Sequence, residues 1–222
     1  SIASAGNDLR LGAQEAPPAI VSVFLGDELM DILESIENGV AYTSKGRIDI
    51  EVGVDVLPYI PKDATDRNRT SPFAFTGNKF EFRMLGSSQS IACPNMAINT
   101  IFAEELSQFA DILEKAEDFN ETLNDLLSKT IKEHKRILFN GNNYSDEWVK
   151  EAEKRGLPNL RTMADALPYY VKQKNINLFE KHKVLSEKEL RSRYEIQMEK
   201  YCKIIHIEAL TMLDMARKEI IP

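Results

Sequence analysis

The sequence predicts an α+β fold, with a partial, antiparallel-rich sheet followed by a mainly α-helical region. Strand-like apolar runs and alternating segments are confined to residues 1–92, whereas helical spacing of apolar residues takes over from Pro94. With 43% hydrophobic residues among 222, the chain is long and apolar enough to bury a core. We therefore predict a first domain over residues 1–93 and a helix-rich second domain over residues 94–222.

The first domain begins with alternating strand and helix signals. Residues 19–25 form an apolar, β-branched run, which predicts a buried strand. A helix is predicted over residues 27–38, with Asp27 as its cap and Gly39 just past its end. The alternation of polar and apolar residues over 47–54 predicts a half-buried strand.

A long loop and a hairpin follow. Residues 57–72 carry three prolines and several charged side chains, which predicts an irregular loop of the kind that often carries function. Its segment DRNRTSP contains Arg67 and Arg69, and arginine is the preferred clamp for carboxylate and phosphate. Two loop arginines are, however, more often plain surface charge. Residues 73–75 and 79–84 predict a hairpin.

The second strand of this hairpin, in the stretch TGNKFEFR, has a charged face. Because successive side chains of a strand alternate, Lys79, Glu81 and Arg83 share one face, and Phe80 and Phe82 are expected to pack inward on the other. A carboxylate between two cations suits a polyanion held with a metal, since the carboxylate binds the metal and the cations bind phosphate. The alternative is an ordinary solvated strand face with ion pairs.

A second constrained segment is RLGAQEAPPAI, residues 10–20. Gly12 allows a tight backbone, and Pro17 and Pro18 stiffen the chain that follows. Glu15 therefore lies on a constrained loop, where a carboxylate can act as a general base or bind a cation. The alternative interpretation is an ordinary surface glutamate.

Five helices are predicted in the second domain. They begin near residues 94, 123, 145, 162 and 186, and the fourth is expected to meet Pro168. The last is the longest, and Ser186 with Glu189 predicts a capping box at its start. The apolar stripes of these helices are more typical of core than of an interface between subunits.

Composition narrows the class of protein. A net charge of −7 and a pI near 5.2 argue against a general nucleic-acid or anionic-membrane binder. No apolar run is long enough to span a bilayer, and Cys93 and Cys202 form no CxxC motif, so we expect a cytoplasmic protein with reduced thiols. The three histidines match no ligand motif. Because the chain opens without Met, we expect a fragment of a larger protein.

Four segments carry a family resemblance. RLGAQEAPP, NRTSP, GNKFEFR and SIACPN occur in that order, and together they resemble the carboxyl-terminal part of the catalytic domain of glutamine synthetase. The tail segments GLPNLRT and IEALTML resemble the long type III bacterial form. The resemblance implies an ATP-dependent glutamate–ammonia ligase that uses Mg²⁺ or Mn²⁺, proceeds through γ-glutamyl phosphate and assembles into large homo-oligomeric rings.

The resemblance also implies roles for particular residues. Arg10 resembles the arginine that holds substrate glutamate. Glu15 resembles the flap glutamate that shields the acyl phosphate and takes a proton from ammonium. Arg69 resembles an arginine that contacts the transferred phosphate.

On the charged strand, Lys79 stands where many members of the family carry an arginine near the nucleotide. Glu81 resembles a ligand of the metal that bridges the ATP phosphates. Arg83 resembles the arginine that binds the substrate carboxylate and its phosphorylated form. The sequence departs from the commoner pattern in three places. After Arg83, the stretch LGSS replaces the usual acidic Pro-Asp. The link between NRT and KFEFR is shorter and lacks a further arginine, and the spacing from Arg10 to Glu15 is one residue shorter.

The segment by itself is expected to be inactive, because the family's other metal ligands lie upstream of the residues in this sequence. Two alternatives stay open. The helical region could serve mainly as an assembly module of a large oligomer, or the enzyme could join glutamate to a different amine.

Overall fold

The computed structural model describes residues 4–43, 49–50, 60–61, 71–86 and 89–221. Its elements, in chain order, are α1 (Asn7–Arg10), β1 (Val23–Phe24), α2 (Asp27–Asn38), β2 (Asp49–Ile50), β3 (Ile60–Pro61), β4 (Phe73–Phe75), β5 (Phe80–Phe82), α3 (Ala92–Leu113), α4 (Phe119–His134), α5 (Asp146–Lys154), α6 (Met163–Tyr170), α7 (Gln173–Lys181) and α8 (Glu187–Met215). A 3₁₀ turn over Lys135–Ile137 follows α4, and a π-helical turn over Ala216–Ile220 follows α8. The α+β class predicted from the sequence is confirmed.

The chain folds as two compact units, each assembled from separated segments. The helical unit contains Ser1–Ile20, Met84–Asp111 and Pro158–Pro222, and the sheet unit contains Val21–Arg83 and Ile112–Leu157. The domain boundary predicted between residues 93 and 94 stays a prediction.

The sheet unit is built on a three-stranded sheet in the order β1-β4-β5. β1 pairs with β4 in parallel, and β4 pairs with β5 antiparallel as the predicted hairpin. β2 and β3 form a separate antiparallel pair. Of the strand predicted over residues 19–25, only β1 has strand pairing, although Ile20 and Ser22 beside it are buried.

Helices of the sheet unit follow the predicted signals closely. α2 has the predicted bounds and ends at Gly39, whose φ of 66° is left-handed and therefore favours glycine. Its N-cap is Gly26 rather than Asp27, which is the first helical residue. α4 begins four residues before the predicted start because Asp118 caps it, accepting a hydrogen bond from the Glu121 backbone N–H.

The helical unit is centred on the packing of α6, α7 and α8. Its core contains Ile176, Phe179, Leu185 and Leu190, with Met96, Ala97 and Tyr170 packed against them. The predicted capping box of Ser186 and Glu189 is present at the start of α8. α6 continues through Pro168 to Tyr170, so this proline does not end the helix. The helix α7 was not predicted, and its N-cap residue, Lys172, makes no side-chain capping hydrogen bond.

Part of the first domain lies outside the described residues. Of the strand predicted over residues 47–54, the structure describes β2 alone, and of the loop predicted over 57–72 it describes β3 and residues 71–72. Across the described ranges, no helix is both long enough and apolar enough to cross a membrane.

Candidate active site

The charged face predicted on β5 is present and forms a chain of ion pairs within the sheet unit. Arg83 donates from Nε and Nη2 to Glu81 Oε2, at 3.1 and 2.9 Å. Lys79 Nζ lies 3.3 Å from the other carboxylate oxygen, Glu81 Oε1. Lys79, Glu81 and Arg83 are therefore brought together, with the carboxylate between two cations.

Electrostatics keep this carboxylate ionised. Hydrogen bonding from Arg83, and secondarily from Lys79, holds the pKa of Glu81 below its usual value of 4.5. The Glu81 side chain is about one-third exposed, at 35%, whereas that of Arg83 is only 15% exposed. An incoming ligand can therefore reach an anionic oxygen that is fixed on a strand.

The opposite face of β4 and β5 carries an aromatic cluster. The Phe80 ring stacks on Phe73 at 5.4 Å between centroids and contacts Phe75 at 5.2 Å, and Phe82 lies 6.2 Å from Phe73. Both Phe80 and Phe82 lie on the face of the strand that the sequence predicted for them. Phe80 nevertheless stays 47% exposed, so the expectation that it packs inward was wrong.

Buried hydrogen bonds fix the backbone at the base of this hairpin. The Arg83 N–H donates to the Pro72 carbonyl oxygen at 2.8 Å, which continues the β4–β5 ladder by one step. Beside Pro72, Ser71 accepts a hydrogen bond from Asn143 Nδ2 at 3.2 Å, and Asn143 Oδ1 accepts from Ser22 at 2.8 Å. All three polar side chains are buried. These three residues are far apart in the chain, so no local sequence signal groups them.

A divalent metal is compatible with Glu81 as a single ligand. Mg²⁺ and Mn²⁺ prefer ionised oxygen donors, and Glu81 supplies one on a rigid strand. Both of its oxygens contact cations, so binding of a metal there requires Lys79 and Arg83 to turn toward other anions, such as phosphate. Within the described ranges, no group of three or more His, Cys, Asp or Glu side chains has the arrangement of a metal site.

The second predicted segment, RLGAQEAPP, lies in the helical unit. Arg10 ends the short helix α1, and a β-bridge between Leu11 and Ala16 closes a loop over residues 12–15. The Gly12 N–H donates to the carbonyl oxygens of Ala16 and Pro17 at 3.2 and 3.1 Å, and its φ of 77° requires the conformational freedom of glycine. The constrained loop predicted here is thus present, and Glu15 lies exposed on it.

Arg10 is partly buried and is held by its Nε, which donates to Asn7 Oδ1 at 2.9 Å. Arg10 and Glu15 lie at the two sides of one small loop.

Arg69 and its neighbour Arg67 lie outside the described residues. Cys93 and Cys202 are free thiols, and His182 Nε2 lies 2.7 Å from Glu104 Oε2 in the helical unit.

The comparisons with known proteins agree with the resemblance. Residues 122–222 match the family model of the glutamine synthetase C-terminal domain. A glutamine synthetase of Butyrivibrio fibrisolvens is 46% identical over 99% of this chain, and a type-3 glutamine synthetase of Dictyostelium discoideum is 45% identical over all of it. A glutamine synthetase of Bacteroides fragilis is 40% identical over the whole chain.

The chain spans 31% of the length of each of these relatives. The similarity therefore concerns one segment of a much longer protein, and it includes both the RLGAQEAPP and the KFEFR motifs. The chain is therefore similar over nearly its whole length to one segment of glutamine synthetases, and its residues 122–222 match the C-terminal domain of that family.

Proposed function

We propose that the full-length protein containing this segment is an ATP-dependent glutamate–ammonia ligase that makes glutamine through γ-glutamyl phosphate. The observation that carries the proposal is the ion-paired face of β5, where an ionised carboxylate lies between two cations. The names of the relatives support it, since they are glutamine synthetases at 40–46% identity. Because this ligase uses ATP, we expect it to act in the cytoplasm.

The first chemical step is phosphoryl transfer. A γ-carboxylate oxygen of glutamate attacks the γ-phosphorus of ATP, the bond to the β,γ-bridging oxygen breaks, and ADP leaves. Arg83 and Lys79 supply fixed positive charge on a rigid strand, which suits the negative charge that this step concentrates. In the proposal Arg83 binds the substrate carboxylate and then its phosphorylated form, Lys79 contacts the nucleotide, and Arg69 contacts the transferred phosphate.

The second step is attack by ammonia on the acyl phosphate. The nitrogen lone pair forms the C–N bond, phosphate leaves, and glutamine is released once the nitrogen has lost its extra proton. Glu15 is the base proposed to take the proton from ammonium, and its place on a loop closed by the Leu11–Ala16 bridge suits a residue that covers a site. Arg10 is proposed to hold substrate glutamate.

Glu81 is proposed to hold a divalent metal, Mg²⁺ or Mn²⁺. When bound, the metal would neutralise charge on the ATP phosphates. The low pKa of Glu81, caused by hydrogen bonding from Arg83 and Lys79, keeps the carboxylate charged before any metal arrives.

The test is glutamine formation by the full-length protein with ATP and Mg²⁺ or Mn²⁺. Glu81→Ala and Glu15→Ala should each lower kcat at least about 100-fold, since each removes a group that acts on the reacting charges. Glu153→Ala, at an exposed glutamate of α5, is the matched control and should leave kcat unchanged. Both variants must remain folded. If wild type forms no glutamine, or if both variants match Glu153→Ala, the proposal is wrong.

We also propose that residues 1–222 alone do not make glutamine. Glu81 offers a divalent metal a single carboxylate, whereas such ions take about six oxygen ligands. Glutamine formation by the purified segment would refute this statement without affecting the proposal for the full-length protein.

A second candidate function is self-association into a ring-type homo-oligomer through the helical region. Exposed apolar side chains along α8, including Ile207 at 61% and Leu210 at 53%, favour it. Mass photometry of the full-length protein gives its assembly state. If the full-length protein assembles but forms no glutamine, the better hypothesis is a helical assembly role or a ligase for another amine.

A further inference from the structure

Asn7 uses both ends of its side-chain amide. It is the first residue of α1 and is 4% exposed. Its Oδ1 accepts a hydrogen bond from Arg10 Nε at 2.9 Å, and its Nδ2 donates to the Met84 carbonyl oxygen at 3.0 Å. Met84 follows Arg83 in the chain, so a single buried amide joins the RLGAQEAPP segment to the backbone that leaves the KFEFR motif.

The hydrogen bond between Asn7 and Arg10 determines which nitrogens of Arg10 stay available to bind a ligand. Arginine has five N–H donors in a planar fork, and the amide of Asn7 occupies the one on Nε. Among the described residues, no hydrogen bond or ion pair engages the two terminal nitrogens of Arg10. Because Asn7 holds Arg10 by its Nε, the guanidinium can present both terminal nitrogens to a carboxylate as a bidentate donor.

Gly86 provides the space that Asn7 needs. A Cβ built on Gly86 would lie 3.1 Å from both Cγ and Oδ1 of Asn7 and 3.2 Å from its Cβ. These separations are tighter than ordinary carbon contacts, so any side chain at residue 86 would press on the amide. The Asn7 side chain is therefore fixed by two hydrogen bonds and by close packing on a glycine backbone.

We propose that Asn7 is a positioning residue that orients Arg10 toward the carboxylate of its substrate. This inference rests on the proposed function, in which Arg10 holds glutamate. Asparagine is suited to the task because it accepts from the guanidinium and donates to the carbonyl at once. Aspartate would keep the contact to Arg10 but would place a second anionic oxygen against the Met84 carbonyl and compete with substrate for the guanidinium.

Three variants of the full-length protein test the proposal. Asn7→Asp keeps the acceptor for Arg10 and loses the donor to Met84, and Asn7→Leu loses both. Asn140→Asp is the matched control. Asn140 Oδ1 accepts from the backbone N–H groups of Leu25 and Gly26, and aspartate preserves that role. Steady-state kinetics gives KM for glutamate, KM for ATP and kcat separately.

The expected result is specific to glutamate. Asn7→Asp should raise KM for glutamate at least about tenfold, and Asn7→Leu should lower kcat/KM for glutamate about 10- to 100-fold, because small misplacements of a binding group have effects of that size. KM for ATP should change less than about twofold in both, and Asn140→Asp should match wild type. A purely structural role for Asn7 would not separate the two substrates in this way.

The rate at which phenylglyoxal modifies Arg10, followed by mass spectrometry, gives a readout that needs no catalysis. Asn7→Leu should speed the modification of Arg10 several-fold relative to wild type and to Asn140→Asp. If Asn7→Asp and Asn7→Leu both keep the wild-type KM for glutamate and the wild-type rate of Arg10 modification, the proposal is overturned. If wild type makes no glutamine but Asn7→Leu speeds the modification, Asn7 does orient Arg10, and it is the proposed function that fails.

Discussion

The hydroxyl of Tyr201, in the middle of α8, donates a 2.6 Å hydrogen bond to Asp8 Oδ2, 193 residues earlier in the chain. Asp8 lies in α1 beside Asn7 and is 9% exposed, and its other carboxylate oxygen, Oδ1, has no hydrogen-bond partner among the residues that the structure describes. This bond therefore satisfies a buried carboxylate and fixes the short helix that carries Arg10 to the longest helix of the helical unit.

Removing this hydroxyl should destabilise the helical unit. In Tyr201→Phe, the buried carboxylate of Asp8 loses its donor, which should lower the free energy of unfolding by about 2 to 3 kcal/mol. Urea denaturation followed by circular dichroism measures the change. Tyr194→Phe, two turns earlier on the same helix, removes a hydroxyl with no hydrogen bond among the described residues and should change stability by less than about 0.5 kcal/mol. Equal effects of the two variants would show that the Tyr201–Asp8 bond contributes nothing.

Alkaline pH should weaken the same contact. The hydrogen bond to Asp8, and secondarily burial, raises the pKa of Tyr201 from 10 to about 12. Between these two values the folded chain keeps a proton that the unfolded chain has lost. The resulting stabilisation is complete below pH 10 and is lost as the pH rises toward 12. The stability difference between wild type and Tyr201→Phe should therefore shrink over this range, and a difference that stays constant would contradict the assignment.

Acid pH should weaken a different cluster of the helical unit. Glu104 in α3 accepts from Lys181 Nζ, His182 Nε2 and Gln108 Nε2 at 2.7, 2.7 and 2.8 Å. These hydrogen bonds, that from Lys181 foremost, lower the pKa of Glu104 from 4.5 to about 2. The contribution of the carboxylate to stability is full above pH 4.5 and declines as the pH falls toward 2.

The measurement is urea denaturation of wild type and Glu104→Gln at a series of pH values. Glu104→Gln should be less stable than wild type at pH 6, and the two should converge below the ordinary pKa of 4.5. The adjacent Glu105→Gln serves as a control, because its side chain is exposed and makes no ion pair among the described residues. A difference that does not depend on pH would mean that the cluster stabilises by packing alone.

The buried amide of Asn143 should be essential to the sheet unit. It links Ser22, next to β1, with Ser71, which precedes β4, and all three side chains are at most 1% exposed. Asn143→Leu removes two buried hydrogen bonds and should lower the free energy of unfolding by about 2 to 4 kcal/mol. Thermal and urea unfolding measure the loss. The same substitution at the exposed Asn124 should be nearly neutral, and comparable losses at both sites would argue against the network.

Local sequence signals predicted a large part of this fold. Gly39 at the end of α2, Ser145 before α5, and the Ser186–Glu189 box before α8 each satisfy backbone groups of a neighbouring turn, so their effect is readable within a few residues. The β4–β5 hairpin and its charged face follow from alternation for the same reason. By contrast, α7 has no side-chain cap and only nine residues, so it depends on burial of Ile176 and Phe179.

The same distinction between local and long-range contacts applies to the candidate site. Lys79, Glu81 and Arg83 could be grouped from the sequence because neighbouring side chains on one strand face are set by its geometry. The residues that hold the site segments could not, because Asn7 reaches Met84 and Tyr201 reaches Asp8 across 77 and 193 residues. Such contacts are decided by tertiary packing, which a single sequence does not display.

The segmented make-up of the two units has a consequence for synthesis on the ribosome. The sheet unit has all of its segments once Leu157 has been made, whereas the helical unit still lacks α6, α7 and α8 at that point. Its first segment, with Asn7, Asp8 and Arg10, must therefore wait for the last helix to emerge before Tyr201 can contact it. During that interval the nascent segment that carries Arg10 has no native partner in α8, so the helical unit completes its folding after the sheet unit has all of its segments.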